Sequence, residues 1–142
     1  MKKYIHYGHR SFNRNLFIPI ANRRNLAKPI GGLWASAVDA DYGWKDWCED
    51  SDFRKCENEN SFIFTLSDNA RVLYIDNISD TDNLPKTSGE FKLCSWVCLD
   101  FEKLKDEYDA IEVKISGDGI YFGLYGWDCD SILIMNPDII EV

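Results

Sequence analysis

The chain has 142 residues, 45% apolar and 28% charged, with a net charge of −8. That is enough chain for one domain of ordinary globular composition, and it excludes a disordered protein. No apolar run approaches the ~20 residues of a membrane helix, and no apolar segment follows the Met-Lys-Lys start, so the expected protein is soluble and cytoplasmic, without a membrane partner.

Read in chain order, residues 3–8 (Lys-Tyr-Ile-His-Tyr-Gly) predict a first strand, aromatic and β-branched. Alternation puts Tyr4, His6 and Gly8 on one face and Ile5, Tyr7 and His9 on the other. Residues 13–26 are mixed and basic, and Pro19 interrupts them, which fits a loop or broken helix. Pro29 and Gly31-Gly32 punctuate the chain before a short strand, Leu33-Trp34-Ala35-Ser36. Residues 41–48 predict a short helix with Trp44 and Trp47 on one face. Residues 61–66 and 71–76 predict two strands, joined closely enough for a hairpin. Residues 77–90 read as loop and 94–99 as a brief apolar run. Asp100 is the expected N-cap of a helix reaching about Tyr108. Three strand-like runs follow at 110–115, 120–124 and 131–135. Asn136-Pro137-Asp138 makes a turn, and 139–142 a last short strand. No repeat or linker divides the chain, so 1–142 is a single domain. Strands cluster without alternating with helices, which predicts an α+β, mostly antiparallel fold and argues against a doubly wound sheet.

Charge is distributed unevenly. Residues 1–38 hold seven Lys and Arg (Lys2, Lys3, Arg10, Arg14, Arg23, Arg24, Lys28) and no acid, while the remainder holds nine basic and 24 acidic residues. Such asymmetry fits an anion site at the basic end, or mutual neutralisation across the fold. The five cysteines are irregularly spaced without a Cys-x-x-Cys pair, and only two His, His6 and His9, could assist them. Reduced thiols are expected and no metal site.

Three segments could carry chemistry. Gly31-Gly32 ahead of Trp34 lets a ligand or another backbone approach closely, with Trp34 as an apolar wall, Ser36 as a hydroxyl, and Tyr42 and Trp44 as stacking faces. The same pattern fits a glycine turn with Trp34 in the core. His6 can donate to a sugar hydroxyl, and His9 and Arg10 follow where phosphate contact is easy; a satisfied strand histidine fits equally. Gly126-Trp127-Asp128-Cys129-Asp130-Ser131 sets two carboxylates at the head of an apolar strand, where they are either used or satisfied as turn caps.

Together these segments resemble the ADP-ribosyltransferase-like family, in its branch similar to poly(ADP-ribose) polymerase and diphtheria toxin. Tyr4-Ile5-His6-Tyr7-Gly8 is similar to that branch's His-Gly strand, with one residue inserted. Gly32-Leu33-Trp34-Ala35-Ser36, with Tyr42 downstream, is similar to its Gly-x-Tyr-Phe-Ala strand and following Tyr. The run from Asp130 through Ile140 is similar to its acid-bearing strand. The family's acid, usually Glu, falls at Ser131, with Asp130 one position earlier. The chain also resembles small phage and bacterial proteins that share a Lys-Pro-x-Gly-Gly-Leu-Trp-Ala-Ser segment.

The resemblance implies a split pair of mostly antiparallel sheets clasping NAD as substrate, and transfer of one ADP-ribose to a protein or nucleic acid. It implies catalytic roles for Asp130, His6 and Tyr42. It implies NAD contacts at Gly8, Arg10, Gly32, Leu33, Trp34, Ser36, Trp127 and Ser131, with Arg10, Arg23 or Arg24 at the pyrophosphate and no metal. In that scheme Trp34 and Tyr42 sandwich the nicotinamide, and Asp130 stabilises positive charge on the ribose. The rival class is a non-catalytic protein whose acidic stretch, eight acids in residues 39–59, blocks a basic partner surface.

Overall fold

The computed structural model describes residues 1–23, 28–87, 97–124 and 126–142. Its strands are β1 (Tyr4–Tyr7), β2 (Leu33–Ala37), β3 (Ser61–Leu66), β4 (Val72–Ile75), β5 (Ala110–Val113), β6 (Ser131–Ile134) and β7 (Ile140–Glu141). Its helices are α1 (Trp44–Ser51), α2 (Phe101–Glu107) and the single turn α3 (Ile120–Gly123). Among the described residues the strands form one mixed sheet in the order β4-β5-β6-β2-β1-β3-β7, so the fold is α+β. Only β4 and β5 run parallel; every other pairing is antiparallel.

Period-2 alternation on these strands builds two cores. On one face Ile111, Val113 and Leu133 pack with Phe101 and Leu104 of α2, Ile120 of α3 and Trp127. On the other, Tyr4, Phe62, Phe64, Ile132, Ile134 and Ile139 pack together. Val72 of β4 and Ile140 of β7 join that second cluster from opposite ends of the strand order, so the sheet is curled.

The curl explains why residues 61–66 and 71–76 make two strands but no hairpin. β3 pairs with β1 and β7, whereas β4 pairs with β5. The connection turns tightly, Ala70 N–H donating to Ser67 O, but it spans the open side of the curl. Leu66, Ala70 and Val72 all contribute to the enclosed cluster, and this burial outweighs local pairing of the two strands.

The expected strand at 120–124 is the helical turn α3. Alternation would bury Phe122, but it is exposed while Ile120, Gly123 and Leu124 are buried, which is helical spacing. Ile78 presses on this turn, and a Cβ on Gly123 would stand 2.3 Å from its Cδ1. The helix expected at 41–48 begins later, at Trp44, because the Asp46 carboxylate accepts from Gly43 N–H at 2.9 Å and sets the N-cap there. Asp100 caps α2 as expected, accepting from Lys103 N–H. Ile78–Thr81 forms a short 3-10 helix inside the expected loop. The expectations at 24–26, 88–90 and 94–96, Arg24 and Cys94 included, lie outside the described residues.

Cys48, Cys56 and Cys129 are free thiols, and burial pushes the Cys129 thiol up to about 12. Among the described residues no helix is long and apolar enough to cross a membrane, and no group of three or more His, Cys, Asp or Glu could hold a metal ion.

Candidate functional site

The site arises where β1 and β2 part. β1 pairs with β3 along all four of its residues, but with β2 only through Tyr4–Ala37 and Ile5–Ser36. Beyond Ile5 the two strands diverge. The gap is bridged by a side chain: His6 Nδ1 donates to Trp34 O at 2.6 Å. A cavity of about 310 Å³ opens there, lined by residues of β1, β2 and β3 and by the segments before β2 and after α1.

Its walls are aromatic. Trp34 stands on one side, backed edge-on by Trp127 at 4.7 Å between ring centroids. Trp44, stacked on Trp47 at 5.3 Å, stands on another, and Phe62, Phe12, Phe17, Leu16 and Leu33 add to the apolar lining. Among the described residues its charges are positive: Lys28 and Arg54 line it and no carboxylate does. The Lys28 stem lies over Gly126, 3.5 Å from where a Cβ would be. Its ammonium sits 5.0 Å from the Trp34 ring centroid and 5.9 Å from that of Trp44, a cation–π seat. Burial lowers its pKa, and the nearby Asp128 partly offsets this.

The glycine pair before Trp34 serves two purposes. Gly31 adopts φ +82, and a Cβ there would stand 2.3 Å from Pro19 O; the approaching group at this position is therefore backbone. Gly32 N–H donates to Ile18 O at 2.8 Å, while Gly32 itself also lines the cavity. Gly8 takes φ +126, so the chain can turn back after β1 and set the His9 ring on that of His6.

Of the residues singled out from sequence, His6, His9, Gly32, Leu33, Trp34 and Trp44 meet at this cavity. Trp127 is buried behind Trp34. Arg10 and Arg23 are exposed and do not line it. Tyr42 points elsewhere: its hydroxyl donates to Asp50 at 2.8 Å, which pushes its pKa up to about 12. Ser36 is buried, donating to Asp130 O at 2.7 Å and accepting from Trp44 N–H at 2.8 Å. Ser131 is buried with its hydroxyl on Cys129 O. The sandwich of Trp34 and Tyr42 is thus replaced by Trp34 and Trp44.

Asp130 stands by the other end of β2, at a second cavity of about 380 Å³ that it shares with Asp39, Asp41, Asp76 and Glu112, and with Lys2 and Lys114. Its carboxylate accepts from Ile115 N–H at 2.8 Å and from Tyr42 N–H at 3.4 Å, and its own N–H donates to Tyr42 O. These contacts tie the head of β6 to the segments before α1 and after β5.

Sequence reasoning missed Arg54 altogether. It lies in the acidic stretch, 20 positions from Trp34 in the chain, and nothing local marks it. Lys28 had a signal, in the Lys-Pro-x-Gly-Gly run and as one of the seven basic residues that fit an anion site, but nothing in the sequence sets it apart from the other six. Comparison of the chain with family models, with curated proteins and with solved structures gives no match.

Proposed function

We propose that the cavity is an NAD cleft and that the chain is an ADP-ribosyltransferase-like protein, which passes a single ADP-ribose to a protein or nucleic-acid acceptor. The observation that carries this reading is an aromatic cavity bearing only positive charge, in a protein whose net charge is −8. Flat rings suit indole walls, and a diphosphate suits Lys28 and Arg54. The volume lies at the small end of ligand pockets, roughly 300–1,000 Å³, and suits one nucleotide half of NAD. The resemblance adds its own support. Its histidine strand, its Gly-x-aromatic strand and its acid-bearing strand correspond to β1, β2 and β6, which are neighbours in the sheet. Under this reading the sheet splits where β1 leaves β2, and NAD enters the split.

Transfer needs a carboxylate beside the ribose as nicotinamide leaves. The candidate is Asp130, but its oxygens already hold the Ile115 and Tyr42 amides. A buried Ser131 fills the register where the family has its acid. The proposal is accordingly one of firm binding and slow transfer.

NAD should quench the fluorescence of Trp34 and Trp44, and Trp34→Phe should reduce that quenching. Labelled NAD in a cell lysate should mark an acceptor; because the Asp130 carboxylate stands at the second cavity and holds two backbone amides, Asp130→Asn should lower the marking only modestly, by loosening the segments it ties together. Quenching without a marked acceptor removes the transfer half. Activity unchanged in Asp130→Asn but lost in Ser131→Ala returns the acid's role to the family's own register.

One observation favours the rival reading: all eight acids in residues 39–59 are exposed. A face of this kind would block a basic, nucleic-acid-binding partner surface. That reading expects neither quenching nor label.

A further inference from the structure

The two histidines form a chain of hydrogen bonds whose proton positions follow from the acceptor at its end. Trp34 O carries no hydrogen, so His6 Nδ1 must donate to it. His6 Nε2 lies 3.1 Å from His9 Nδ1. In neutral His6 that Nε2 is an acceptor, so His9 Nδ1 must carry the hydrogen between them, which leaves His9 Nε2 bare. The rings are stacked 5.4 Å apart at 15°, and both line the cavity. One added proton fits at His9 Nε2 and keeps every bond in the chain. A second would place hydrogens on both facing nitrogens and break the His6–His9 contact.

We infer that this pair is the cavity's third cationic contact: it takes up one proton when a diphosphate-bearing ligand binds, and His9 Nε2–H then donates to that ligand. The inference rests on the reading of the cavity as an NAD cleft. His9 is the ligand-contacting residue, and His6, with both ring nitrogens occupied, is a positioning residue. The remaining charged or titratable groups around the pair are Tyr7 of β1, Lys28 before β2 and Arg54 after α1, while β3 contributes only Phe62. Burial raises the Tyr7 hydroxyl and lowers His6, an effect the Trp34 carbonyl partly offsets. Of the four ring nitrogens only His9 Nε2 is left bare by the chain, so the added proton goes there. Arg10, next in the chain, is exposed and outside the cavity lining.

The test is tryptophan-detected titration with NAD and, in parallel, with inorganic sulfate, between about pH 5 and 8, where histidine is the ordinary side chain to change charge. For the wild type, affinity should rise as pH falls, approaching tenfold per pH unit, the limit for uptake of one proton. His9→Gln should hold the weak, high-pH affinity throughout. His9→Lys should hold the tight, low-pH affinity throughout, which separates a lost charge from a damaged fold. NAD binding that ignores pH, or keeps its pH dependence in His9→Gln, overturns the inference and leaves the NAD reading intact. Sulfate binding with the expected linkage, in a protein that does not bind NAD, upholds the proton uptake and overturns the NAD reading. Binding of neither anion overturns both.

Discussion

Trp127→Ala is expected to lower stability by about 3–5 kcal/mol, the range for removing a buried tryptophan. Trp127 is 1% exposed. It meets Trp34 edge-on at 4.7 Å and lies parallel to Phe101 of α2 at 6.5 Å. It therefore joins the α2 core to the wall of the cavity. Its indole Nε1 is buried with no hydrogen-bond partner among the described residues, so the native packing already carries a polar penalty at this site. Trp127→Phe removes that penalty with part of the volume, and should cost clearly less than alanine. Chemical denaturation of the three proteins checks the order, and a phenylalanine variant as unstable as the alanine one would refute it. NAD quenching should also fall in Trp127→Ala, because Trp34 loses its support.

The second large effect lies at the opposite end of β5. Asp109 is buried and accepts from Arg71 N–H at 2.8 Å, from the Arg71 guanidinium at 3.1 Å and from Asn136 Nδ2 at 3.1 Å. Burial alone would raise its pKa. The Arg71 side chain and amide, together with Asn136, outweigh burial and hold the carboxyl below its ordinary value. Asp109→Ala leaves the Arg71 amide and the Asn136 side chain without their acceptor and should cost about 3 kcal/mol at neutral pH. The sign of the pH dependence follows from the lowered value. The stabilisation is complete above the unfolded-state pKa of about 3.9 and is lost as pH falls through the folded one. The stability gap between wild type and Asp109→Ala should therefore be flat above about pH 5 and close below pH 4. A gap that widens on acidification would show that the carboxylate is not the stabilising form.

Much of the architecture was legible where local chemistry and burial agree. Tyr-Ile-His-Tyr made β1, Leu-Trp-Ala-Ser made β2, and Asp100 capped α2, each from residues adjacent in the chain. At 120–124 they disagree. Ile, Tyr, Phe and Leu favour a strand, but the contact with Ile78 decides for a helical turn. The missing hairpin has a similar origin, since the partners of β3 and β4 lie far along the chain in β1, β5 and β7. At the site, His6, Gly32, Leu33 and Trp34 were legible because punctuation and aromatics coincide there. Trp44 was legible too, as a stacking face, whereas Lys28 before β2 and Arg54 after α1 converge only through the path of the chain. Asp130 stood out as an acid at a strand head, but nothing local shows that its carboxylate holds the Ile115 and Tyr42 amides, which come from the segments after β5 and before α1.

The position of β6 bears on the order in which the molecule assembles. It lies between β5 and β2, and all four of its residues are buried. Without it the paired strands would fall into two separate pieces, β4-β5 and β2-β1-β3-β7, each with an unsatisfied edge. A nascent chain emerging in order makes β4-β5 and β2-β1-β3 before the strand that joins them. Cooperative closure then waits on residues 131–134, as expected for a core closed by non-local pairing. Pulse-labelling hydrogen exchange during refolding should find the β6 amides, and those of β2 and β5 that face β6, gaining protection together and after the amides that join β2 to β1 and β5 to β4. Protection of β6 before either of those pairs would refute this order. Until β6 inserts, the intermediate has exposed edges of the kind that pair between chains, so holding one chain's β6 available to another is the specific route by which this fold would exchange strands.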